Sequence, residues 1–276
     1  MGLDSLPMDA HIKELIGPKT LWAVCHSGGK DSQALGIFAA ANLPKEHTIW
    51  VHADLGEIEW QGTKDHVEQL AKDAGAPLIL AYPRFRDGRA KDFFDMVRDN
   101  HAKRPTVNPW PTKDVRQCTS DLKRDPMNRE IRRYANKHGY TTVVILDGVR
   151  AEESDDRAAM SPWQVNERET NSKRAVYDWK PLHAWTKEQV IASVKDAGQE
   201  LHWAYATGNE RLSCQFCILG CKSDLQNAYR HNPALAAKYT ALEQEVGFTM
   251  YGKKVKKQFV GQTLLQKIGV VVEKAA

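Results

Sequence analysis

Short apolar runs alternate with longer amphipathic segments along the first half of the chain. The apolar runs predict buried strands at residues 20–25, 48–52, 77–81, 141–146 and 176–179. Apolar positions at helical spacing predict helices at residues 31–41, 60–74, 91–100, 126–138 and 187–197, with two more at 224–230 and 233–246. The proline-containing stretch 104–116 and the stretch 161–171 show little periodicity and are predicted to be irregular.

Strands that alternate with helices of this length predict βαβ units. The expected fold class is therefore α/β, with a parallel sheet that helices cover on both faces. In such sheets ligands bind beyond the carboxyl ends of the strands. Ser27 follows the first predicted strand, Asp54 the second and Gly148 the fourth, so we expect these residues at the ligand-binding edge.

Length and composition narrow the class of protein. The chain has 276 residues, enough for one sizeable core with an appended segment or for two small domains. Its content of 42% hydrophobic and 27% charged residues is typical of globular proteins and argues against disordered or fibrous ones. No apolar run is long enough to cross a bilayer, and the N-terminal residues do not resemble a signal peptide. We therefore expect a cytoplasmic protein without a membrane partner.

The charge pattern is only weakly informative. The net charge of +4 permits a nucleic-acid partner without arguing strongly for one. The densest basic run consists of Lys253, Lys254, Lys256 and Lys257, and we interpret it as a solvated basic turn or strand face.

The hexapeptide Ser-Gly-Gly-Lys-Asp-Ser at residues 27–32 lies between a predicted strand and a predicted helix. Adjacent glycines, Gly28 and Gly29, let the backbone N–H groups approach an anion, and the helix directs its positive end to the same place. The hydroxyls of Ser27 and Ser32 can donate hydrogen bonds, and Lys30 can neutralise phosphate charge. The pattern is neither a Walker A loop nor a dinucleotide fingerprint. The alternative, a simple serine-glycine turn that starts a helix, is less favoured.

Two carboxylates fit a magnesium–nucleotide site. Asp31, beside the presumed phosphates, would help to hold Mg²⁺ or cap the helix. Asp54 would bind a ribose or Mg²⁺. The alternative for Asp54 is a helix cap in a loop that also contains Glu57 and Glu59.

Three segments together resemble one known superfamily. The hexapeptide is similar to the SGGxDS loop of the PP-loop ATP pyrophosphatases and the related phosphoadenosine phosphosulfate (PAPS) reductases. A second segment, R-Q-C-T followed by L-K, resembles R-x-C-T-x-x-L-K of the reductase branch and contains Arg116, Cys118, Thr119, Leu122 and Lys123. A third resembles G-x-R-x-x-E-S-x-x-R of that branch and contains Gly148, Arg150, Glu153, Ser154 and Arg157. With the cysteines near the C-terminal end, the resemblance spans about two hundred residues.

This resemblance implies a five-stranded parallel sheet of the adenine-nucleotide hydrolase type, within a nucleotide-binding domain at residues 1–200. The loop would hold the β,γ-phosphates of ATP, and an oxygen of the substrate would attack the α-phosphorus and release pyrophosphate. The residues implied for catalysis are Lys30, Asp31, Arg150 and Arg157. Those implied for nucleotide binding are Ser27, Gly28, Gly29, Ser32, Asp54, Arg116, Lys123 and Gly148. Guanidinium groups suit a bidentate grip on phosphate or sulfate, although surface ion pairing is the plainer alternative.

The cysteines form the second strong signal. Cys214, Cys217 and Cys221 have the short spacing of metal ligands, and in a reducing compartment such a group indicates metal binding or catalysis rather than disulfides. Cys118 is the expected fourth ligand, whereas Cys25 lies within a predicted strand. Zinc and a [4Fe–4S] cluster both accept four cysteines, so the spacing leaves both open, together with no metal at all. The resemblance favours the cluster, in a cysteine-containing helical segment at residues 201–276.

The chain departs from the assimilatory PAPS reductases in one respect. Those proteins end in a Glu-Cys-Gly-Leu-His tail, and this sequence has no cysteine after Cys221. Relatives that lack the tail but keep clustered cysteines act in tRNA thiolation and DNA phosphorothioation. The expected function is therefore ATP-dependent adenylation in sulfur transfer, with a nucleic acid or a sulfur-donor protein as partner. Two alternatives stay open, a sulfonucleotide reductase and a non-catalytic nucleotide-dependent subunit of a modification complex.

Overall fold

Two compact units make up the part of the chain that the computed structural model describes, residues 10–255 and 258–270. Residues 10–54, 62–81 and 125–202 form the first unit. The second consists of residues 55–61, 82–124 and the described residues from 203 onward. The domain boundary expected at residue 200 stays a prediction.

A six-stranded sheet forms the centre of the first unit. Its spatial order is β3-β2-β1-β4-β6-β5. The strands are β1 (Thr20–Cys25), β2 (Thr48–Ala53), β3 (Leu78–Ala81), β4 (Thr142–Leu146), β5 (Trp163–Val165) and β6 (Ala175–Trp179). All neighbouring pairs are parallel except β5 with β6. The α/β class and the mostly parallel sheet are thereby confirmed.

The sixth strand differs from the expectation. β5 lies in the stretch 161–171, for which the sequence predicts irregular structure, and it pairs antiparallel with β6 at the edge of the sheet. With only three residues, half-exposed or exposed, β5 is too short to produce an alternating pattern of its own. Its pairing with β6 defines it, and the sheet therefore has five parallel strands and one antiparallel edge strand.

Helices cover both faces of this sheet. The α-helices of the first unit are α1 (Ala10–Glu14), α2 (Lys30–Asn42), α3 (Thr63–Ala74), α6 (Asp125–His138), α7 (Asp155–Ala158) and α8 (Lys187–Asp196). One core cluster joins Trp22 and Val24 of β1 to α2, α3 and α8, and a second joins Leu21 and Ala23 to Ile131 of α6. The alternation along β1 is the two-residue period of a strand, here buried on both sides.

The packing of α2 on β2 depends on one glycine. A Cβ at Gly36 would lie 2.5 Å from Cη2 of Trp50, which is closer than carbon atoms approach each other. Trp50 is almost completely buried, so its ring has little room to move. The absent side chain at position 36 therefore makes space for the indole of β2.

The second unit is largely helical around an aromatic core. Its α-helices are α4 (Phe93–Lys103), α5 (Gln117–Thr119), α9 (Trp203–Ala206), α10 (Lys222–His231), α11 (Pro233–Val246) and α12 (Leu264–Ile268), and a π-helical turn spans Ser120–Arg124. A two-stranded hairpin pairs β7 (Tyr251–Val255) with β8 (Gln258–Gln262). The ring of Tyr239 contacts Phe93, Phe94, Trp110 and Phe216. These buried rings anchor α4 and α11.

Two sequence predictions concern a membrane span and the basic run at residues 253–257. Among the described residues, no helix is long and apolar enough to cross a membrane. Of the basic run, Lys256 and Lys257 lie outside the described residues.

Candidate functional site

The loop at residues 27–32 has a backbone that requires glycine at its turn. After β1 the chain continues the sheet, since His26 N–H donates to the Val51 carbonyl at 2.9 Å. Gly28 then adopts φ +79°, the left-handed region that favours glycine. Gly29 returns to extended backbone, with φ −79° and ψ 161°, at the N-cap position of α2. Because glycine has no side chain to cap the helix, the first N–H groups of α2 can serve an anion.

Two serine hydroxyls join the ends of this loop. Ser27 N–H donates to Oγ of Ser32 at 3.1 Å, and the two hydroxyl oxygens lie 3.2 Å apart. The Ser32 hydroxyl donates to the Gly29 carbonyl at 2.9 Å. The loop is thus held in its turn by its own side chains, before any ligand binds.

A buried network of charges lies beside the loop. Asp31 lies in the first turn of α2 rather than at its N-cap. Its Oδ2 accepts from Nζ of Lys30 at 3.0 Å, and its Oδ1 accepts from Nε of Arg150 at 2.7 Å. Arg150, only 3% exposed, also donates to Glu152 at 2.6 Å. Burial lowers the pKa of Arg150, but the hydrogen bond and charge of Asp31 and the contact with Glu152 outweigh it and raise the pKa.

The segment after β4 approaches the loop closely because it begins with a glycine. A Cβ at Gly148 would lie 2.9 Å from the carbonyl oxygen of Asp31. Further along this segment, Arg157 and Glu153 form an ion pair, and the Ser154 hydroxyl caps α7 by accepting from the Arg157 N–H. The structure therefore brings Gly148 against the backbone of Asp31 and Arg150 against its carboxylate, at a sequence separation of 119.

Other residues implied for the nucleotide lie elsewhere in the two units. Asp54 follows β2, and its N–H donates to the Ala81 carbonyl at 3.1 Å. This places Asp54 at the carboxyl end of the sheet. Arg116 and Lys123 belong to the second unit, where Arg116 is exposed and Lys123 is partly buried. The assignment of all these residues to nucleotide binding stays a prediction.

Three cysteines of the second unit share the electrostatic environment of one lysine. Electrostatic interactions with Cys214, Cys217 and Cys118, in that order, raise the pKa of Lys123, although its burial opposes them. Burial raises the pKa of the Cys214 thiol to about 12, and the Lys123 ammonium acts in the opposite direction. Burial likewise raises the pKa of the Cys118 thiol. Lys123, which the resemblance assigned to the nucleotide, is therefore a neighbour of the cysteines.

The local backbone explains how Cys214 and Cys217 are held. Cys217 N–H donates to the Cys214 carbonyl at 3.1 Å, and Gly220 N–H donates to the Cys217 carbonyl at 2.8 Å. Gln215 fixes this turn through its N–H, which donates to the Ile58 carbonyl, and through Nε2, which donates to the Glu59 carbonyl at 2.6 Å.

Cys221 differs from the other three cysteines. It is exposed at the N-cap of α10, and its Sγ lies 3.0 Å from the Ser223 hydroxyl. Across the described part of the chain, no group of three or more His, Cys, Asp or Glu side chains is arranged to hold a metal ion. The four-cysteine ligand set therefore stays a prediction, although thiols beside an ammonium have the donor chemistry that a thiolate-bound metal requires.

The family of the chain follows from a comparison with known domains. The phosphoadenosine phosphosulfate reductase domain matches residues 22–222. The chain belongs to this family. The loop, the segment after β4 and the cysteine turn all lie within the matched residues, and the resemblance inferred from the motifs is confirmed.

Individual relatives are more distant. An uncharacterized 37.8 kDa protein of Escherichia phage 186 is 28% identical over 260 residues, covering 82% of this chain and 75% of the phage protein. An uncharacterized protein of Methanocaldococcus jannaschii is 24% identical over 222 residues, covering 80% of this chain but 47% of that protein, so the chain spans about half of its length. The crystal structure of PAPS reductase from Candida auris, a phosphate complex, is 15% identical with a TM-score of 0.48, covering 75% of this chain and 86% of that one.

Membership has two general consequences. The nucleotide that names the family is an adenine nucleotide, so membership supports adenine-nucleotide binding by this chain. The family is also enzymatic, although membership does not establish which reaction this chain performs.

His26 lies outside the motifs but contacts the loop. Its Nδ1 accepts a hydrogen bond from the Gly28 N–H at 3.2 Å. The position of a histidine directly before the loop was the available signal, because a side chain at that point can reach the amide two residues later.

The buried pair of Asp31 and Arg150 is expected to be strongly coupled. Asp31→Asn and Arg150→Gln should each destabilise the fold by about 2 kcal/mol, because each removes the charge-assisted hydrogen bond between these two side chains, while Lys30 still pairs with Asp31 and Glu152 with Arg150. The double variant should lose less than the sum of the single losses, with a coupling energy of roughly 1–3 kcal/mol in urea unfolding. Additive losses would show that the two side chains act independently.

Proposed function

We propose that the loop at residues 27–32 binds the phosphates of ATP and that the chain adenylates an acceptor in a sulfur-transfer reaction. An oxygen of the acceptor would attack the α-phosphorus of ATP, and the bond between the α- and β-phosphates would break. Pyrophosphate leaves, and the acceptor carries AMP. A sulfur nucleophile from a donor protein then displaces AMP from the acceptor. The oxygen of the acceptor leaves as part of the AMP phosphate, and sulfur takes its place.

The observation that carries this proposal is the turn at Gly28 and Gly29, with the helix that follows it. Its backbone N–H groups suit the charge that develops on a leaving pyrophosphate. Lys30 is 5% exposed, so its ammonium acts in a poorly solvated environment where a phosphate contact is strong. Arg150 would act through Asp31: it would position the Asp31 carboxylate and balance its charge.

We propose that Mg²⁺ accompanies the nucleotide at the carboxylates of this unit. Asp31 and Asp54 would hold it, since carboxylate oxygens are its preferred protein ligands, and it would neutralise charge on the phosphates. Both oxygens of Asp31 already contact a cation, so a metal ion at this carboxylate competes with Lys30. When Lys30 moves from Asp31 to a phosphate, this competition is relieved.

The loop proposal predicts a large effect of Gly29→Val. Valine tolerates the extended backbone at position 29, so the fold should persist, but its branched side chain blocks the approach of a phosphate. Calorimetric titration with ATP and Mg²⁺ should show binding to the unaltered protein and a loss of roughly 100-fold or more in the variant, about the cost of two lost charge-assisted hydrogen bonds.

Gly17→Val is the matched control, because a Cβ at Gly17 meets no atom within 4 Å. It should leave ATP affinity unchanged. Equal affinity in Gly29→Val and the unaltered protein would contradict the phosphate-binding role of the loop.

The products of the reaction test adenylation itself. With ATP, Mg²⁺ and the acceptor present, the protein should form AMP and pyrophosphate. ADP as the main product would contradict adenylation.

For the cysteines, we propose a [4Fe–4S] cluster held by Cys118, Cys214, Cys217 and Cys221, with zinc as the alternative. The support is the shared environment of three of these thiols with Lys123, whose positive charge would balance an anionic centre. When bound, such a cluster would coordinate a sulfur atom for transfer or would supply electrons to the activated substrate. Cys118, Cys214 and Cys217 would hold it from partly buried positions, and Cys221 from an exposed one.

Metal analysis tests this ligand set. Protein purified without oxygen should contain about four iron and about four acid-labile sulfide per chain. Cys118→Ala should lower both, whereas Cys25→Ala, in strand β1 of the other unit, should not. One equivalent of zinc and no iron would replace the cluster by a zinc site, and the absence of both metals would rule out the ligand set.

A nucleic acid is the acceptor class that a second surface supports. Residues 84–91 form a basic hairpin, closed by an antiparallel bridge between Arg84 and Ala90. It carries four cationic residues and one acidic residue, in a chain of net charge only +4. Arg89 and Lys91 lie over the ring of Phe85, at 5.0 and 5.4 Å from its centroid. Exposed arginines beside an aromatic ring are typical of surfaces that bind nucleic-acid backbone.

Salt-dependent binding tests this surface. Anisotropy with a labelled single-stranded RNA should give a slope of log K against log salt that becomes shallower by about 1.4 in Arg84→Gln/Arg86→Gln, the loss of two phosphate contacts. Lys72→Gln/Lys195→Gln, which removes two exposed charges of the first unit, should keep the original slope. Identical slopes in both double variants would place the nucleic acid elsewhere or exclude it.

A further inference from the structure

His26 lies directly before the phosphate loop and is 2% exposed. Its Nδ1 accepts from the Gly28 N–H at 3.2 Å, across the residue at which the chain turns into the left-handed region. We propose that His26 is a positioning residue of the loop: its neutral imidazole holds the Gly28 amide and thereby fixes the turn to which phosphate binds. This inference rests on the proposed role of the loop in nucleotide binding.

The imidazole is fixed on several sides. Its ring stacks on Trp50 with centroids 4.7 Å apart and an interplanar angle of 8°. Trp50 is held in turn by the close approach of Gly36, described above. The His26 carbonyl receives a hydrogen bond from Nδ1 of His52 at 2.9 Å, and its N–H pairs with β2. Neither the backbone nor the ring of His26 can turn without disturbing β2.

The hydrogen bond determines the tautomer. Because Nδ1 accepts, the proton of the neutral ring must lie on Nε2. Among the described residues, Nε2 of His26 has no hydrogen-bond partner, although it is buried. A buried polar atom without a partner needs an explanation. We explain the cost of this unpaired Nε2 by the role of Nδ1, the other ring nitrogen, which accepts the hydrogen bond of the Gly28 amide. An apolar side chain would fill the same space, but it could not accept that hydrogen bond.

The surroundings keep this nitrogen an acceptor. Burial, followed by the charges of His52 and His66, lowers the pKa of His26 to about 3. Burial also lowers the pKa of His66, so the nearest titratable neighbour on α3 favours its neutral form too. The contact with Gly28 therefore persists across the neutral pH range.

The geometry suggests a rescuing substitution. A side-chain acceptor that binds the N–H two residues later is the arrangement of an Asx-turn, which asparagine forms readily. His26→Asn therefore retains an acceptor for Gly28 without the imidazole. His26→Leu has a similar apolar bulk but no acceptor.

The experiment combines a spectroscopic and a binding measurement on the full chain. In the unaltered protein, ¹⁵N-histidine NMR at pH 7 should show His26 as the Nε2–H tautomer, with Nδ1 unprotonated. Calorimetry with ATP and Mg²⁺ should give an affinity roughly five- to tenfold weaker in His26→Leu, the effect of one hydrogen bond, and an affinity within about twofold of the unaltered protein in His26→Asn.

The outcomes separate this inference from the function of the loop. If the unaltered protein binds ATP but His26 is the Nδ1–H tautomer, the positioning role is wrong and the loop proposal stands. Equal affinities of His26→Leu and the unaltered protein would overturn it as well. If the unaltered protein does not bind ATP, the proposed function fails, and the role of His26 in it fails too. The tautomer measurement needs no variant, so it decides the question even if His26→Leu does not fold.

Discussion

The ion pair between Asp31 and Arg150 connects two segments that the sequence separates by 119 residues. Arg150 is almost fully buried, and a guanidinium in that environment is stable only beside carboxylates. The pair therefore fixes the segment after β4 against the first turn of α2. The close approach of Gly148 to the Asp31 carbonyl depends on the same packing. The pair thereby stabilises the first turn of the helix that follows Gly28 and Gly29.

Different contacts organise the loop and the cysteine turn. In the loop, hydroxyls, an imidazole and a glycine turn hold backbone N–H groups in place, and the charges of Lys30 and Arg150 are balanced within the first unit. In the second unit, a partly buried lysine lies close to three cysteine thiols. Both arrangements place cationic groups where an anion is expected. Such prior organisation would reduce the reorganisation that binding of the proposed ligands requires.

The sequence predicted the regular elements well where their pattern was strong. The first strand, expected at residues 20–25, is Thr20–Cys25, and the helix expected at 233–246 is Pro233–Val246. Helix boundaries differ from the predicted ones where the capping residue sets them. The helix predicted to begin at residue 60 begins at Thr63, after Gly62 in the left-handed region. The sequence did not predict β5, because a three-residue edge strand is too short to show an alternating pattern. Only its pairing with β6 defines it as a strand.

The candidate site was predictable in its motifs but not in its contacts. The motifs singled out Asp31, Arg150 and the cysteines, and the functional roles of these residues stay predictions. They did not indicate that Arg150 binds Asp31, that Lys123 lies among cysteines, or that His26 holds the Gly28 amide. These are long-range or backbone-directed contacts, which depend on how the segments pack.

The central claim is that the backbone amides of the loop hold the phosphates of a nucleotide. Protein labelled with ¹⁵N-glycine, titrated with ATP and Mg²⁺, tests it directly. The amide signals of Gly28 and Gly29 should shift strongly at saturation, while the signal of Gly17, which lies outside the loop, stays in place. Unchanged signals of Gly28 and Gly29 in saturated protein would contradict the account.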